Sequence, residues 1–166
     1  MVSSHQCRAT VSNGSRRCKR MTKARHPYCY SHTDSKLGVQ VKKSTIEEAG
    51  QGLFAAREFP ADKQLLEYTG KRTKTVPQNS DYVFEVKNTG GAVRYIDGAD
   101  PSKSSVARYV NSCRRGQKCR NNAVFRTKRV NGKGKVVLRS LRKIKKGREI
   151  FASYGRDYWP KGKQNS

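Results

Sequence analysis

Apolar and polar residues alternate in short runs along most of the chain, and no run keeps the spacing of a long amphipathic helix. Short alternating runs are typical of β-strands with one buried face. Seven such stretches are bounded by glycine, proline or polar turn residues: Val39–Lys42, Leu53–Ala56, Gln64–Tyr68, Tyr82–Val86, Val93–Gly98, Ala123–Val130 and Val136–Leu141. Asn131-Gly132 predicts a tight hairpin between the last two. We therefore expect a mainly β chain with few short helices.

The stretch from Gly147 to Trp159 ends this pattern. Ile150 and Phe151 favour a strand, and Gly155 permits a sharp bend immediately after Tyr154. Tyr154 is therefore expected at a strand end, where its phenol is held still. Such a phenol serves either chemistry or the packing of a core tyrosine whose hydroxyl is hydrogen-bonded.

The first 36 residues carry a different signal. Cys7, Cys18, Cys29 and His32 form the pattern C-x10-C-x10-C-x2-H. Three thiolates and one imidazole complete a tetrahedral set for structural zinc, and the segment has almost no apolar core to fold around otherwise. His26 or His5 as the fourth ligand, or three unrelated free cysteines, are the alternatives. A zinc module would present Arg16, Arg17, Lys19 and Arg20 to a polyanion.

Charge is distributed unevenly along the 166 residues, whose formal net charge is +25. Residues 1–36 carry eight basic and one acidic side chain, residues 37–100 carry nine of each, and residues 101–166 carry twenty and two. Both ends are therefore basic around a neutral middle. Because such a field attracts polyanions, we expect nucleic acid or chromatin to be bound through the basic ends. The alternative is a solvated face that keeps the protein soluble.

Length and composition limit the organisation of the chain. A hydrophobic content of 34% suits one modest core, and polar residues 33–38 form a plausible linker. We expect a zinc module at 1–36, a second and larger domain at 37–160 and a basic tail at 161–166. No apolar run approaches the about 20 residues that span a bilayer, and Ser3 to Gln6 are polar where a secretory signal is apolar. We expect an intracellular protein without membrane contact, and the odd count of five cysteines favours thiols or metal ligands over a disulfide framework.

Six short motifs of the second region stand in one order along the chain. They are Gly50-Gln51-Gly52, Tyr68-Thr69-Gly70, Tyr95-Ile96-Asp97, Arg108-Tyr109-Val110-Asn111-Ser112-Cys113, Asn122-Ala123-Val124 and the run from Gly147 to Gly155. In this order, residues 39–159 resemble the SET domain, the fold of protein lysine methyltransferases, and the Cys/His segment is similar to small zinc modules of viral and protist proteins. The resemblance implies a SET-like fold of small curved β-sheets in which the C-terminal segment threads through a loop to form a pseudoknot. By itself, each glycine pair or turn in these motifs is also typical of an ordinary hairpin.

The resemblance also implies a site. Residues implied to bind S-adenosyl-L-methionine are Gly50, Gln51, Gly52, Tyr82, Arg108, Asn111, Ser112 and Tyr154. Residues implied to line the channel for the substrate lysine are Tyr68, Tyr95, Ala152, Tyr158 and Trp159. Tyr154 and Tyr68 are the implied catalytic residues, because uncharged hydroxyls suit a reaction beside a cationic sulfur.

Several positions depart from the family pattern. The family histidine between Asn111 and Ser112 is absent, Ser153 replaces the aspartate before the tyrosine, and no cysteine cluster follows Trp159. Ala152 stands where many relatives carry a bulky ring. A small residue there predicts that methylation is not limited to one methyl group, unless a neighbouring aromatic fills the gap.

Two functions follow from these features. The first is an S-adenosylmethionine-dependent protein lysine N-methyltransferase acting on a histone tail or another basic chromatin protein, with one structural zinc and a nuclear or chromatin location. The second is a non-catalytic SET-fold module that binds DNA or chromatin, which the basic charge and the missing histidine favour.

Overall fold

The structure, a computed structural model, describes residues 5–10, 16–22, 28–29, 32, 36–78, 81–101, 103–113 and 117–153. Strands dominate the regular structure of these residues, which confirms the mainly β fold; helical residues are His32, Lys36, Leu37 and one turn of 3-10 helix. In chain order they are β1 His5–Gln6, β2 Met21–Thr22, β3 Val39–Lys43, β4 Gln51–Ala55, β5 Gln64–Tyr68, β6 Lys71–Thr73, β7 Val83–Lys87, β8 Val93–Asp97, the 3-10 helix Val106–Tyr109, β9 Ala123–Val130, β10 Lys133–Ser140 and β11 Ala152–Ser153. No helix in these ranges is long and apolar enough to cross a membrane.

Strands β3 to β11 form three small sheets. β3 and β4 pair antiparallel, β6, β8 and β7 form a second sheet in that order, and β11, β9, β10 and β5 form a third. Because β5 joins the third sheet beside β10, residues from both halves of the chain share one sheet. The alternating pattern located β3, β4, β5, β7, β8, β9 and β10, whereas this distant pairing sets how they assemble. β6 lies in no predicted stretch, and the strand expected at Ile150 and Phe151 is instead β11, Ala152–Ser153.

The three sheets enclose one core. Tyr68, Phe84 and Phe125 pack together at its centre, with ring centroids 4.7 Å, 4.9 Å and 5.7 Å apart in edge-on or tilted arrangements. Each ring comes from a different strand and is almost fully buried. Burying a side chain of this size contributes about 1.5–3 kcal/mol, so this trio joins β5, β7 and β9.

The hairpin between β9 and β10 turns at Asn131-Gly132, as the sequence predicts. Val130 pairs directly with Lys133, and both turn residues have positive φ, 49° and 74°. Positive φ at both central positions matches the right-handed twist of the strands that the turn connects.

The C-terminal segment 149–153 lies between two distant parts of the chain. The N–H of Ile150 donates to Leu53 O at 2.7 Å, and the N–H of Ala152 donates to Asn111 O at 2.9 Å. β11 then runs parallel to the start of β9. Passage between these segments fits the expected pseudoknot, and the residues from 154 onward lie outside the described ranges.

Asn122 fastens this segment to the sheet. Its side-chain N–H donates to Glu149 O at 2.8 Å, and its side-chain oxygen accepts from the N–H of Phe151 at 3.0 Å. One amide side chain thus satisfies two backbone groups that a short strand leaves unpaired.

The N-terminal part has a small cluster of its own. β1 and β2 pair antiparallel, and the buried residues around them are Cys7, Ala9, Cys18 and Cys29. Three of these four residues are cysteines, so sulfur takes the place of an apolar core, as the sequence indicates.

Candidate active site and metal centre

A buried carboxylate lies at the centre of the candidate active site. Glu149 is 5% exposed and accepts hydrogen bonds from Ser44 Oγ at 2.7 Å, Thr45 N at 2.7 Å, Thr45 Oγ1 at 2.5 Å and Asn111 Nδ2 at 3.3 Å. A carboxylate has acceptors only, and here donors from two other segments approach both of its oxygens. Glu149 therefore ties the loop after β3 and the segment at 111 to the C-terminal segment.

The predicted turn Gly50-Gln51-Gly52 lies against this carboxylate. Asn111 Nδ2 donates to Gln51 O at 3.0 Å. Gly50 has φ +68° and open space around a Cβ position, so its backbone conformation explains the glycine. At Gly52, by contrast, a Cβ would overlap the carboxylate of Glu149. The close approach that the second glycine permits is therefore made by a side chain of this protein.

Arg108 is held between two aromatic rings. Its guanidinium carbon lies 4.6 Å from the Tyr82 ring centroid and 5.0 Å from that of Tyr109. Nε donates to Gly98 O at 2.8 Å, and a terminal nitrogen donates to Ala99 O at 3.0 Å. The structure thus brings together Arg108 and the half-exposed Tyr82, both predicted to bind the cofactor.

Tyr68 is buried beneath this stack. It is 3% exposed, and its hydroxyl donates to Tyr82 O at 2.9 Å. A Cβ at Gly98 would overlap that hydroxyl, so the glycine makes room for the tyrosine. Tyr95 is half-buried in β8, while Ala152 has no exposed surface and packs in the main core. The burial of Ala152 supports the alternative that its surroundings are already filled.

Other predicted site residues bear less structural information. Ser112 is half-buried beside Asn111. Tyr154, Tyr158 and Trp159 lie outside the described residues. Their roles in catalysis, cofactor binding and the lysine channel stay predictions.

The four predicted zinc ligands converge. Their sulfur and nitrogen atoms all lie within 4.8 Å of one another. Cys18 Sγ is 3.9 Å from Cys29 Sγ, and His32 Nδ1 is 3.3 Å from Cys29 Sγ and 3.5 Å from Cys7 Sγ. Zinc bonds of about 2.3 Å to sulfur and 2.0–2.1 Å to nitrogen give tetrahedral edges of about 3.5–3.8 Å. The spacing and chemistry of these donors fit zinc, with Nδ1 of His32 as the nitrogen ligand.

The alternative fourth ligands do not enter this cluster as described. His5 lies in β1 and is not among the grouped ligands, and His26 lies outside the described residues. Within the same module, the Arg17 guanidinium donates to Cys7 O at 2.9 Å and to Gln6 O at 2.8 Å. Arg17 therefore braces the module, and it is exposed like Arg16, Lys19 and Arg20.

Crowding of the sulfurs shifts their titration in opposite directions. Burial opposes ionisation of Cys29, but hydrogen bonds from the backbone N–H of His32 and from neighbouring side chains outweigh it and lower the pKa of this thiol to about 6. The backbone N–H of Arg20 favours the thiolate of Cys18, but burial and the adjacent Cys29 outweigh it and raise its pKa. The cluster thus favours one thiolate before the next.

The other two cysteines form a disulfide. Cys113 and Cys119 are bonded, with Cα atoms 5.7 Å apart. The expectation that the cysteines are thiols or metal ligands is therefore wrong for this pair, because the chain brings the two sulfur atoms within bonding distance. The N–H of Cys113 also donates to Asn121 Oδ1 at 2.9 Å, which draws the two ends of the loop together.

The order of the motifs agrees with a match to known families. The family model for the SET domain matches residues 50–155, which is more than half of the chain. The chain belongs to the SET-domain family. Gln51, Arg108, Asn111 and Glu149 lie within the matched range, whereas Ser44 and Thr45 precede it.

Relatives of this SET domain carry histone-lysine methyltransferase names. Histone-lysine N-methyltransferase set-17 of Caenorhabditis elegans is 30% identical over 121 residues, which make up 72% of this chain and 41% of that protein. Human Histone-lysine N-methyltransferase 2D is 26% identical over 131 residues, which are 76% of this chain and 2% of that protein. The chain thus spans less than half the length of these curated relatives.

Solved SET structures share the fold. The methyltransferase domain of human PR domain-containing protein 2 superposes with a TM-score of 0.59 at 22% identity, covering 84% of this chain and 92% of that one. ctPRC2, solved in an autoinhibited conformation bound to S-adenosylmethionine, superposes with a TM-score of 0.57 at 23% identity, covering 72% of this chain and 15% of that one. ATXR5 in complex with histone H3.1 superposes with a TM-score of 0.59 at 20% identity, covering 72% of this chain and 57% of that one. These likenesses confirm the SET fold.

Sequence reasoning missed the residues that hold the site together. Ser44, Thr45 and Asn122 are short polar residues in loops and gave no periodic signal. Glu149 could have been recognised from the sequence, because it is a single carboxylate directly before the apolar pair Ile150-Phe151. A charge in a buried segment needs partners, and this requirement points to a cluster of donors.

Proposed function

We propose that this SET domain is an S-adenosylmethionine-dependent protein lysine N-methyltransferase that acts on a histone tail or another basic chromatin protein. The observation that carries the proposal is the family match over residues 50–155, together with the hydrogen-bonded cluster around its glycine turn. The names of the relatives, the S-adenosylmethionine in one neighbour and the histone H3.1 in another support the choice of cofactor and substrate.

In this proposal S-adenosylmethionine supplies a methyl group on a positively charged sulfur. The chain would contribute position rather than covalent chemistry. Asn111 fixes the carbonyl of Gln51 through a 3.0 Å hydrogen bond, so the glycine turn has one defined shape. Arg108 is fixed by two carbonyls and two rings, which makes Tyr82 a rigid wall.

The substrate amine must be neutral and aligned with the methyl group. Tyr154 is proposed to orient it through its phenol oxygen, and Tyr68 to wall the channel from β5. The Tyr68 hydroxyl already donates to Tyr82 O, so we expect its ring rather than its proton to contribute. Tyr95, Tyr158 and Trp159 are proposed to complete the channel.

A labelling experiment tests the activity. The protein is incubated with methyl-labelled S-adenosylmethionine and histones, and Tyr154→Phe is compared with Tyr28→Phe, which removes one hydroxyl in the zinc module. We expect transfer by the wild type and by Tyr28→Phe and little by Tyr154→Phe. No transfer at all, or equal transfer by all three proteins, would refute the assignment.

The second candidate is a non-catalytic SET-fold module that binds DNA or chromatin. The observation in its favour is the net charge of +25, together with the missing histidine before Ser112. Calorimetry with S-adenosylmethionine separates the two, because the non-catalytic module requires no cofactor affinity. Saturable binding of one cofactor per chain favours the enzyme.

We also propose one structural zinc per chain, held by Cys7, Cys18, Cys29 and His32. Four protein ligands fill a tetrahedral site, so zinc would stabilise the module rather than bind substrate. Elemental analysis should give about one zinc per chain. Cys18→Ser should lower this content, whereas the double variant Cys113→Ser, Cys119→Ser should keep it. Equal zinc in both variants would contradict the ligand set.

A nuclear or chromatin location and contact with nucleic acid through the basic ends complete the proposal. At the N-terminal basic end, the exposed Arg16 and Lys19 of the zinc module would contact the nucleic acid. Imaging of a tagged full-length chain tests the location, and a diffuse distribution that ignores chromatin would contradict it.

A further inference from the structure

One face of the β9–β10 hairpin is strongly basic. In the antiparallel register, Arg126 lies opposite Val137 and Lys128 lies opposite Lys135, so these residues share a face. Phe125 and Leu138, which alternate with them, are buried in the core. We call the five cations of the outward face the basic ribbon face: Arg126, Lys128, Lys133, Lys135 and Arg139.

The hairpin extends beyond its neighbours in the sheet. β11 pairs with β9 only at Ala123 and Val124, and β5 pairs with β10 only from Val136 onward. The part from Arg126 to Lys135 is therefore a two-stranded ribbon whose outward face has no flanking strand.

Few acidic groups balance this face. Lys135 pairs with Glu67 at 3.0 Å, and Arg139 pairs with Asp62 at 3.2 Å. The remaining cations, Arg126, Lys128 and Lys133, have no ion pair with any carboxylate in the described part of the chain, and all three are exposed. Lys128 instead donates to the neutral Gln64 at 2.6 Å.

The register also places like charges directly opposite each other. Lys128 faces Lys135 across the two strands. Directly opposite side chains are about 4.5–5.5 Å apart at Cβ, and like charges in this position destabilise a sheet. The ion pair of Lys135 with Glu67 offsets part of that repulsion, and an anion bound over Lys128 would offset the rest.

The opposite side of the ribbon adds two more cations. A groove of about 500 Å³ lies between β7 and the hairpin, and Lys87 and Arg129 are among its lining residues together with Glu85. The hairpin is anchored there, because Arg72 donates to Gly134 O at 2.6 Å and Asn88 Oδ1 accepts from Gly134 N at 2.9 Å. The ribbon is thus a fixed platform and not a free arm.

We propose that the basic ribbon face binds the phosphate backbone of double-stranded DNA. Alternate residues on one strand are about 6.8 Å apart, so the cations from 126 to 139 form a row rather than a point. Duplex DNA carries one negative charge per about 1.7 Å of its axis, which is dense enough to meet every cation of the row. The anchored inner face keeps the ribbon from entering a groove, so the binding reads charge and not sequence. This inference rests on the nucleic-acid contact proposed above, for which it names the surface, and it does not depend on methyl transfer.

Charge-matched variants test the surface. Arg126→Gln, Lys128→Gln and Lys133→Gln are combined in one protein, and Lys43→Gln, Lys74→Gln and Lys146→Gln in a control of equal net charge. All six residues are exposed and outside the ion pairs of the described residues. Thermal unfolding of both proteins first shows that they fold as the wild type does. Affinity for a mixed-sequence duplex is then measured by fluorescence anisotropy across a range of salt concentrations.

The expected result is a change in the salt dependence. Each lost phosphate contact lowers the slope of log K against log salt by about 0.9, so the face variant should lose about 2.7 and bind about 10²–10³-fold more weakly at about 0.1 M salt. The control should keep nearly the wild-type slope. The single variants should each lose about 0.9, which secures the test if the triple variant is poorly folded.

Three results would overturn the proposal. Equal losses in the face variant and the control would mean that only net charge matters. An unchanged slope in the face variant would place DNA elsewhere or nowhere. Stronger competition by a single-stranded RNA of the same length, or by vesicles of anionic lipid, would assign the face to another polyanion.

Discussion

Removing the carboxylate of Glu149 should destabilise the whole domain. In Glu149→Ala the N–H of Thr45 loses its acceptor, and the hydroxyls of Ser44 and Thr45 lose theirs. A buried donor without a partner costs about 1–3 kcal/mol, and hydrogen bonds to a charged acceptor contribute about 1.5–3 kcal/mol each. Because hydroxyls rotate and water can enter the space, we expect a net loss of about 3–5 kcal/mol.

Glu149→Gln should cost less. A carbonyl oxygen turned towards Thr45 keeps both hydrogen bonds of that residue. The amide group then faces Ser44 Oγ, which already accepts from Ile46 N and Asn111 Nδ2, so the Ser44 hydroxyl loses its own acceptor. Asn111 then faces another donor, but it keeps Gln51 O at 3.0 Å and Ser44 Oγ at 3.1 Å as acceptors. We therefore expect a loss of about 1–2 kcal/mol.

Urea unfolding of the zinc-loaded protein measures both variants. Glu58→Ala is the matched control, because Glu58 pairs with Lys143 at 2.9 Å but its side chain is 53% exposed. Exposed pairs contribute about 0–1 kcal/mol. At 2–4 °C per kcal/mol for a chain of this size, Glu149→Ala should also lower Tm by about 6–20 °C. A loss no larger than that of Glu58→Ala would refute the central role given to this carboxylate.

Three further predictions concern two glycines and the zinc module. Gly98→Ala should lower the free energy of unfolding by about 1–3 kcal/mol because its Cβ meets the Tyr68 hydroxyl, and adding Tyr68→Phe should recover part of the loss; no recovery in urea unfolding would contradict the overlap. Gly132→Ala should cost about 1–2 kcal/mol through its φ of +74°, and Gly132→Asn less; equal stability of all three proteins would contradict strain at this turn. Chelation of zinc should make residues 1–36 sensitive to trypsin while the SET domain stays resistant, and an unchanged digestion pattern would contradict a metal-dependent module.

The strands could be read from the sequence because their signal is local. Gln64–Tyr68 and Ala123–Val130 were predicted with the bounds that the structure shows, and Asn131-Gly132 forms the expected turn. The order of the strands in the sheets could not be read. β5 lies beside β10 because of a pairing between residues about 70 positions apart, such as Val136 with Tyr68, and alternation along a strand does not encode its partner.

The metal cluster could also be predicted from the sequence, because its signal is local too. Its ligands are rare residue types with a simple spacing, and the structure brings Cys7, Cys18, Cys29 and His32 within 4.8 Å of one another. The cluster around Glu149 could not be predicted from the sequence, since Ser44 and Thr45 resemble any other loop residues. The resemblance implies that the second glycine of the turn, Gly52, binds the cofactor, whereas in the structure the Glu149 carboxylate lies where a Cβ of Gly52 would be.

The same cluster determines how catalytic variants should be interpreted. The hydrogen bond between Ser44 and Glu149 joins residues 105 positions apart, and the one between Asn111 and Glu149 joins residues 38 positions apart. The glycine turn proposed for the cofactor is therefore shaped only when the C-terminal segment is in place, and that segment leads directly into Tyr154. A substitution near Tyr154 that loosens residues 149–153 would thus reduce cofactor affinity and stability together, even if it touched no reacting atom. Loss of methyl transfer in Tyr154→Phe identifies a role for the phenol only if urea unfolding and cofactor affinity stay at the wild-type values.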